Sequence, residues 1–309
     1  MFSILAVIAP LFLIIFASAL LQKFNYISDD WPKVLNEYAL KIGLPVLIFA
    51  SLARVSFSFS VQSQIVFANS LFIIFCLLLA FIVGKLLRLK KLMFRTLFIC
   101  FVFNNVAYMG IPVLTQVFGD NILPTTGLII AIYLFWQFTI GTGYLEYSQN
   151  NNKKDVVNNI ITNLIKNPLL LAIILGIIAG SLKIALPSVL IKSLDMITAS
   201  VTPTVLIVIG LFIGKSKFGR LIEWLPIFFF SILTLFVLPV IFYIGAKLFG
   251  FAPTQFSSSI IQAAMPLAIA PFALADKYNL DKVFIARSIV LSTILSAISL
   301  PLWILILQP

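Results

Sequence analysis

Histidine is absent from this 309-residue chain. That absence removes imidazole metal ligands, histidine general bases and histidine proton relays. Charge is scarce as well. Only 10% of residues are Asp, Glu, Lys or Arg, whereas a soluble domain carries roughly a quarter, because its surface faces water. Cysteine is limited to Cys76 and Cys100. Both lie inside apolar runs without partner spacing and read as small buried hydrophobes, neither a disulfide nor a metal pair. No carboxylate sits clearly in the middle of an apolar run. Glu37, Asp195 and Asp276 fall near the ends, so coupling to protons or sodium has no obvious ligand set. Metal-ligand clusters, nucleophile–base pairs and phosphate-binding glycine loops are also missing, and no soluble stretch could hold ATP. An enzyme is therefore not expected, nor is a cofactor.

What the sequence has in abundance is apolar surface. Hydrophobic residues make up 61% of the chain, with 30 Phe. A bilayer is the solvent that suits such a surface. A helix needs about 20 apolar residues to cross it, and the charged residues divide the chain into ten such runs. These are Phe2–Leu21, Leu35–Ala53, Ile65–Leu87, Thr96–Phe118, Pro124–Tyr144, Pro168–Lys183, Ile197–Gly214, Trp224–Phe249, Ser257–Ala275 and Val283–Leu307. In the first run, Ala17-Ser18-Ala19 looks like a signal-peptide cleavage site. Yet no cation precedes the run, while Lys23 and Lys33 follow it, so the segment is expected to stay as a helix with the start of the chain outside.

The net charge of +11 would suggest nucleic acid in a soluble protein. Here the cations lie in short loops, where they report topology instead. Loops after the odd-numbered spans, taken with the span ends that border them, hold 16 Lys and Arg and those after the even-numbered spans hold 4, with Lys41 deeper inside the second span. This positive-inside asymmetry places both termini outside, and one span more or fewer would put the later loops out of phase. The polar stretch Ser148–Lys166 separates five spans from five. Five is odd, so two homologous halves must have opposite topology, a common build for secondary transporters. The expected domains are a first five-helix repeat over 1–147, a cytoplasmic linker over 148–167 and an inverted second repeat over 168–309. Prolines support the repeat: Pro45 and Pro203 occupy the second and seventh spans, and Pro112 and Pro266 occupy the fourth and ninth, at similar spacing.

Two spans carry the candidate site. In the fourth, Asn104 and Asn105 put two amides at membrane depth, which requires pairing or a wet cavity. Gly110 and Pro112 then interrupt the same helix, and Pro112 is expected to free the carbonyl of Tyr108. Opened backbone at that depth is tolerated only against protein or a cavity, so the segment reads as a discontinuous helix whose half-helix N-terminus suits an anion. In the ninth span, Pro266 and Pro271 are expected to free the carbonyls of Gln262 and Leu267. Pro45 and Pro203 are expected to break their helices more gently. Asp276 reads as an interfacial carboxylate beside Lys277. Lys41 either snorkels or attracts an anionic substrate.

At these residues the sequence resembles the auxin efflux carrier family of permeases. Asn105-Val106-Ala107-Tyr108-Met109-Gly110-Ile111-Pro112 is similar to the family's Asn-Thr-Gly-Phe-Leu-Gly-Ile-Pro motif. Ala264-Met265-Pro266 through Ala275-Asp276-Lys277-Tyr278 resembles its ninth helix. Arg287-Ser288-Ile289-Val290-Leu291-Ser292-Thr293 with Leu300-Pro301 resembles its last. Val106 and Ala107 stand where Thr-Gly is usual, and Leu267 and Ala270 where polar residues often occur. The resemblance implies an all-α membrane protein of ten helices in two inverted five-helix repeats, with broken helices 4 and 9 crossed. It implies a small organic anion as substrate, with Asn105, Pro112 and Pro266 at the crossing. The short central loop is like that of bacterial members, implying a bacterial inner membrane. Substrate contacts are expected from Asn104, Asn105, Tyr108, Gly110, Pro112, Gln262 and Pro266, and coupling, if any, from Asp276 or Lys41. A passive channel, a sodium-coupled symporter of the bile-acid type, and assembly as a homodimer stay open.

Overall fold

A bare backbone N–H or C=O finds no partner in a bilayer, so long apolar runs must close their own hydrogen bonds and become helices. The computed structural model of the protein describes residues 2–54, 59–149, 153–216, 220–251 and 256–307. The polar run Gln149–Lys154 of the central linker therefore lies partly outside the described residues. Among those described, every regular element is helical, and the sole extended pairing is an isolated antiparallel bridge between Asn104 and Leu267.

Seven described helices are long and apolar enough to cross a membrane, or up to eight if a bent pair counts as one span. The sequence reading of ten runs and this smaller count differ for a geometric reason. The fourth and ninth runs are each divided into short pieces of 7 to 10 residues, or about 10–15 Å at 1.5 Å per residue. No such piece spans a core of about 30 Å.

The chain separates into two compact units that do not follow its sequential halves. The first comprises Met1–Gln64, Ala107–Ala131 and Lys166–Ser216, and the second Ile65–Val106, Ile132–Ile165 and Lys217–Pro309. The elements in chain order are α1 (Phe2–Lys23), α2 (Trp31–Tyr38), α3 (Leu44–Ala53), α4 (Phe59–Leu86), α5 (Lys91–Cys100), α6 (Gly110–Phe118), α7 (Leu123–Trp136) and α8 (Thr142–Gln149). They continue with α9 (Lys153–Ile165), α10 (Pro168–Ser181), α11 (Ser188–Lys215), α12 (Leu225–Ile232), α13 (Leu238–Leu248), α14 (Ser257–Ala263), α15 (Ala270–Tyr278) and α16 (Lys282–Leu307).

The first unit is built on close helix packing. Gly210 and Gly214 lie four apart on α11 and face α1, where an added Cβ would run into the backbone oxygens of Ile15 and Ala19. Small residues at this spacing let two membrane helices approach to backbone contact. Gly176 does the same for α10, since a Cβ there would meet Phe49 O at 3.2 Å. Helix α11 runs through Pro203 without a break. Pro45 follows a π-turn over Ala39–Gly43 and sits in the first turn of α3. The span Trp31–Ala53 stays continuous because the π-turn directly before Pro45 takes up the donor that it lacks. The expected helix breaks at these two prolines are therefore absent.

In the second unit the core is aromatic and hydroxyl-rich. Phe72 stacks on Phe242 with centroids 4.7 Å apart. A second π-turn, Leu233–Val237, lies between α12 and α13, and Trp303 Nε1 of α16 donates to the Leu235 carbonyl in it at 2.9 Å. Cys76 and Cys100 are both free and buried.

Candidate functional site

Both interrupted helices come apart where the sequence is a poor helix former, but not where the prolines alone would place the break. Helix α5 ends at Cys100 and α6 begins at Gly110, so the interruption covers residues 101–109. Pro112 falls in the first turn of α6, where no intrahelical donor is lost. Helix α14 ends at Ala263 and α15 begins at Ala270, leaving 264–269 open, with Pro271 in the first turn of α15. Pro266 lies inside that gap and biases Met265 toward extended backbone. The carbonyl of Gln262, expected to be free, accepts from Met265 N–H at 3.2 Å. The helix tightens before Pro266 instead of continuing into it.

Within the second unit the two open segments satisfy one another. Asn105 N–H donates to Pro266 O at 2.8 Å, and Ala268 N–H donates to Phe103 O at 2.8 Å. Asn104 Nδ2 donates to Ala263 O at 2.9 Å. Gln137, from a π-turn after α7, donates through Nε2 to Val102 O at 2.9 Å. Leu267 N–H donates to Ser292 Oγ of α16 at 3.1 Å. Groups that a continuous helix would have paired internally are thus paired across the crossing, as their depth demands.

This accounting separates the two asparagines. The Asn104 amide is spent on the backbone of the ninth run. Asn105, also buried, uses its backbone there and forms no side-chain hydrogen bond with a described residue. Gln262 is fully buried, and neither Oε1 nor Nε2 has a partner among the described residues. In the same unit, Asn69 Oδ1, Tyr133 OH, Ser288 Oγ, Thr293 Oγ1 and Ser299 Oγ are also buried without partners among the described residues. Asn69 Nδ2 reaches Ser259, one turn before Gln262 on α14, at 2.8 Å. Unpaired buried groups each cost about 1–3 kcal/mol. A bound water or polar ligand at such a group would remove that cost.

The remaining expected site residues have other partners or belong to the other unit. Tyr108, Gly110 and Pro112 belong to the first unit, where Tyr108 OH donates to Asn36 Oδ1 at 2.7 Å. Lys41 pairs with Glu37 at 3.7 Å on an exposed surface. Asp276 is exposed and pairs with Lys282 at 2.5 Å. Lys277, its sequence neighbour, turns to Glu146 instead, at 2.7 Å. Burial works against the charge on Lys277, but hydrogen bonds with Glu146 and Tyr278 keep its pKa above the ordinary value.

Sequence reasoning missed Glu146, a carboxylate only 8% exposed. It follows the fifth run, beside a polar linker, where nothing in the sequence signals burial. The hydroxyls of the last helix (Ser288, Ser292, Ser296 and Ser299, at helical spacing) were the signal available for buried polar groups in this unit.

A multi-pass helical chain whose discontinuous helices pair their open backbones has a build common among integral membrane transport proteins. Over residues 3–304 the chain matches the membrane transport protein family, the auxin efflux carrier family that its motifs resemble, and it belongs to that family. It is also similar to the uncharacterized transporter MJ1031 of Methanocaldococcus jannaschii, with 24% identity over 290 residues covering 91% of each chain.

Proposed function

We propose that the protein is a secondary active permease for a small organic anion, working by alternating access at the crossing of the fourth and ninth runs. Seven continuous spans, α10, and the two divided runs counted as one span each make ten helices. The charge asymmetry of the loops supports termini on the outside. Each compact unit draws on corresponding spans of both halves, the first, second, sixth and seventh in one and most of the others in its counterpart. That division supports an inverted repeat.

The observation that carries the reading is the contrast among amides at the crossing. Asn104 is consumed by the backbone, whereas Gln262 keeps a buried amide with no partner among the described residues, and the hydrogen bond found for Asn105 is made by its backbone N–H. No carboxylate lies among residues 101–109 or 264–269. Neutral donors beside the N-terminal end of α15 favour an anionic group, through partial positive charge and open N–H groups.

Asn105→Ala tests the reading in membrane vesicles or proteoliposomes loaded with candidate carboxylates. Transport is expected to be lost while protein abundance and melting temperature hold. Full transport by this variant overturns the assignment. Counter-flow of labelled substrate against unlabelled substrate is expected, and its absence points to a channel instead.

A further inference from the structure

Helix α15 has nine residues, too few to be stable alone in water and too short to cross a bilayer. Its position depends on what holds its two ends. The crossing end is fixed by Leu267 and Ala268, through Ser292 Oγ and Phe103 O. The other end carries Lys277 and Tyr278, and both donate to the same oxygen of Glu146: Lys277 Nζ at 2.7 Å and Tyr278 OH at 2.8 Å. Asn159 Nδ2 of α9 donates to the other carboxylate oxygen at 3.2 Å. Two residues further along α8, the Ser148 carbonyl accepts from Arg95 Nη2 of α5 at 2.6 Å. Gly143, one turn earlier, admits Ile160 of α9, where a Cβ would come within 2.9 Å of its Cδ1.

The last turn of α8 therefore grips both half-helices that lead to and from the crossing, α5 through Arg95 and α15 through Lys277 and Tyr278. We propose that Glu146 is a positioning residue of the transport site: it sets where α15 stands, and with it the open segment 264–269, without touching substrate. The same carboxylate holds α9, so the connecting helix and the crossing share one anchor. A buried carboxylate is stable in this role only while its partners remain, and removing one partner leaves the others with an uncompensated charge. This inference rests on bonds within one unit and does not depend on which substrate is carried.

Segment-resolved amide hydrogen exchange of the full chain in lipid nanodiscs tests it without any substrate. Glu146→Lys is expected to raise exchange over 264–278 by about tenfold or more, with exchange over α1 and α11 unchanged. Charge reversal in the pair, Glu146→Lys with Lys277→Glu, is expected to restore protection toward the wild-type pattern. A purely structural role would loosen the whole unit and would not respond to the reversal. Should Glu146→Lys fail to accumulate, Glu146→Gln serves, with a smaller rise confined to the same segment. Unchanged exchange over 264–278 in a folded Glu146 variant overturns the proposal, as does a reversed pair that stays as unprotected as Glu146→Lys.

Discussion

The two units solve the same problem, excluding lipid and water from between helices, in opposite ways. The first does it by removing side chains: Gly176, Gly210 and Gly214 bring backbones together, and its ion pairs, such as Arg54–Asp195 and Lys215–Asp29, stay at exposed positions. The second keeps polar groups inside. Of the buried side-chain atoms without partners among the described residues, only Gln22 Oε1 and Thr198 Oγ1 belong to the first unit. Close packing leaves no room for a ligand at the glycine contacts, although the same unit holds a polar cavity of about 320 Å³ lined by Arg54, Asp120 and Asp195. An unsatisfied interior instead favours a polar occupant. The comparison teaches that the glycine contacts in the first unit are built to hold, and that the crossing in the second, where the proposed site lies, is held by hydrogen bonds instead.

Substitutions can break or sharpen that contrast. The largest effect is expected for Gly210→Leu, because the obstacle is the backbone at Ile15 and Ala19, which cannot rotate away. A loss of about 3 kcal/mol or more is expected from such overpacking, read as failure to run as a single peak in fluorescence-detected size exclusion. Asn104→Leu should come next. It leaves the Ala263 carbonyl without its donor and should lower stability by about 1–3 kcal/mol, measured as a fall in melting temperature. Asn105→Ala, lacking that bond, should leave the melting temperature nearly unchanged, so equal destabilisation by the two would erase the distinction drawn between them.

Gln262→Leu should move stability the other way. Removing two unpartnered polar atoms while keeping the volume is expected to be neutral or stabilising by about 1–2 kcal/mol, with transport lost. A marked drop in melting temperature would mean that the amide already has a bound partner. The smallest effect is expected for Lys41→Ala. Its pair with Glu37 is exposed, and such pairs contribute less than about 1 kcal/mol, so a large change in transport would recast Lys41 as a substrate contact.

The two interrupted runs that carry the proposed site were legible in the chain, but not their geometry. Adjacent Asn104 and Asn105 before Gly110 and Pro112 announced a discontinuity, since amides and prolines are poor company for a continuous membrane helix. They did not reveal that the gap precedes Gly110, because helix starts depend on which backbone groups find outside partners. Nor could they say which asparagine is spent on structure. That depends on the Ala263 carbonyl, 159 residues away in sequence.

Composition, hydrophobic runs and loop charges by themselves determined that the chain is a helical membrane protein. They also located its two interrupted runs, because insertion into a bilayer is decided locally, by about 20 residues at a time. Only the tertiary structure decided that Pro45 and Pro203 leave their spans continuous, that Gln262 has no partner among the described residues, and that Glu146 is buried beneath Lys277 and Tyr278. These outcomes follow from contacts between distant segments, and a side chain's partner across the fold is not encoded in its neighbours along the chain.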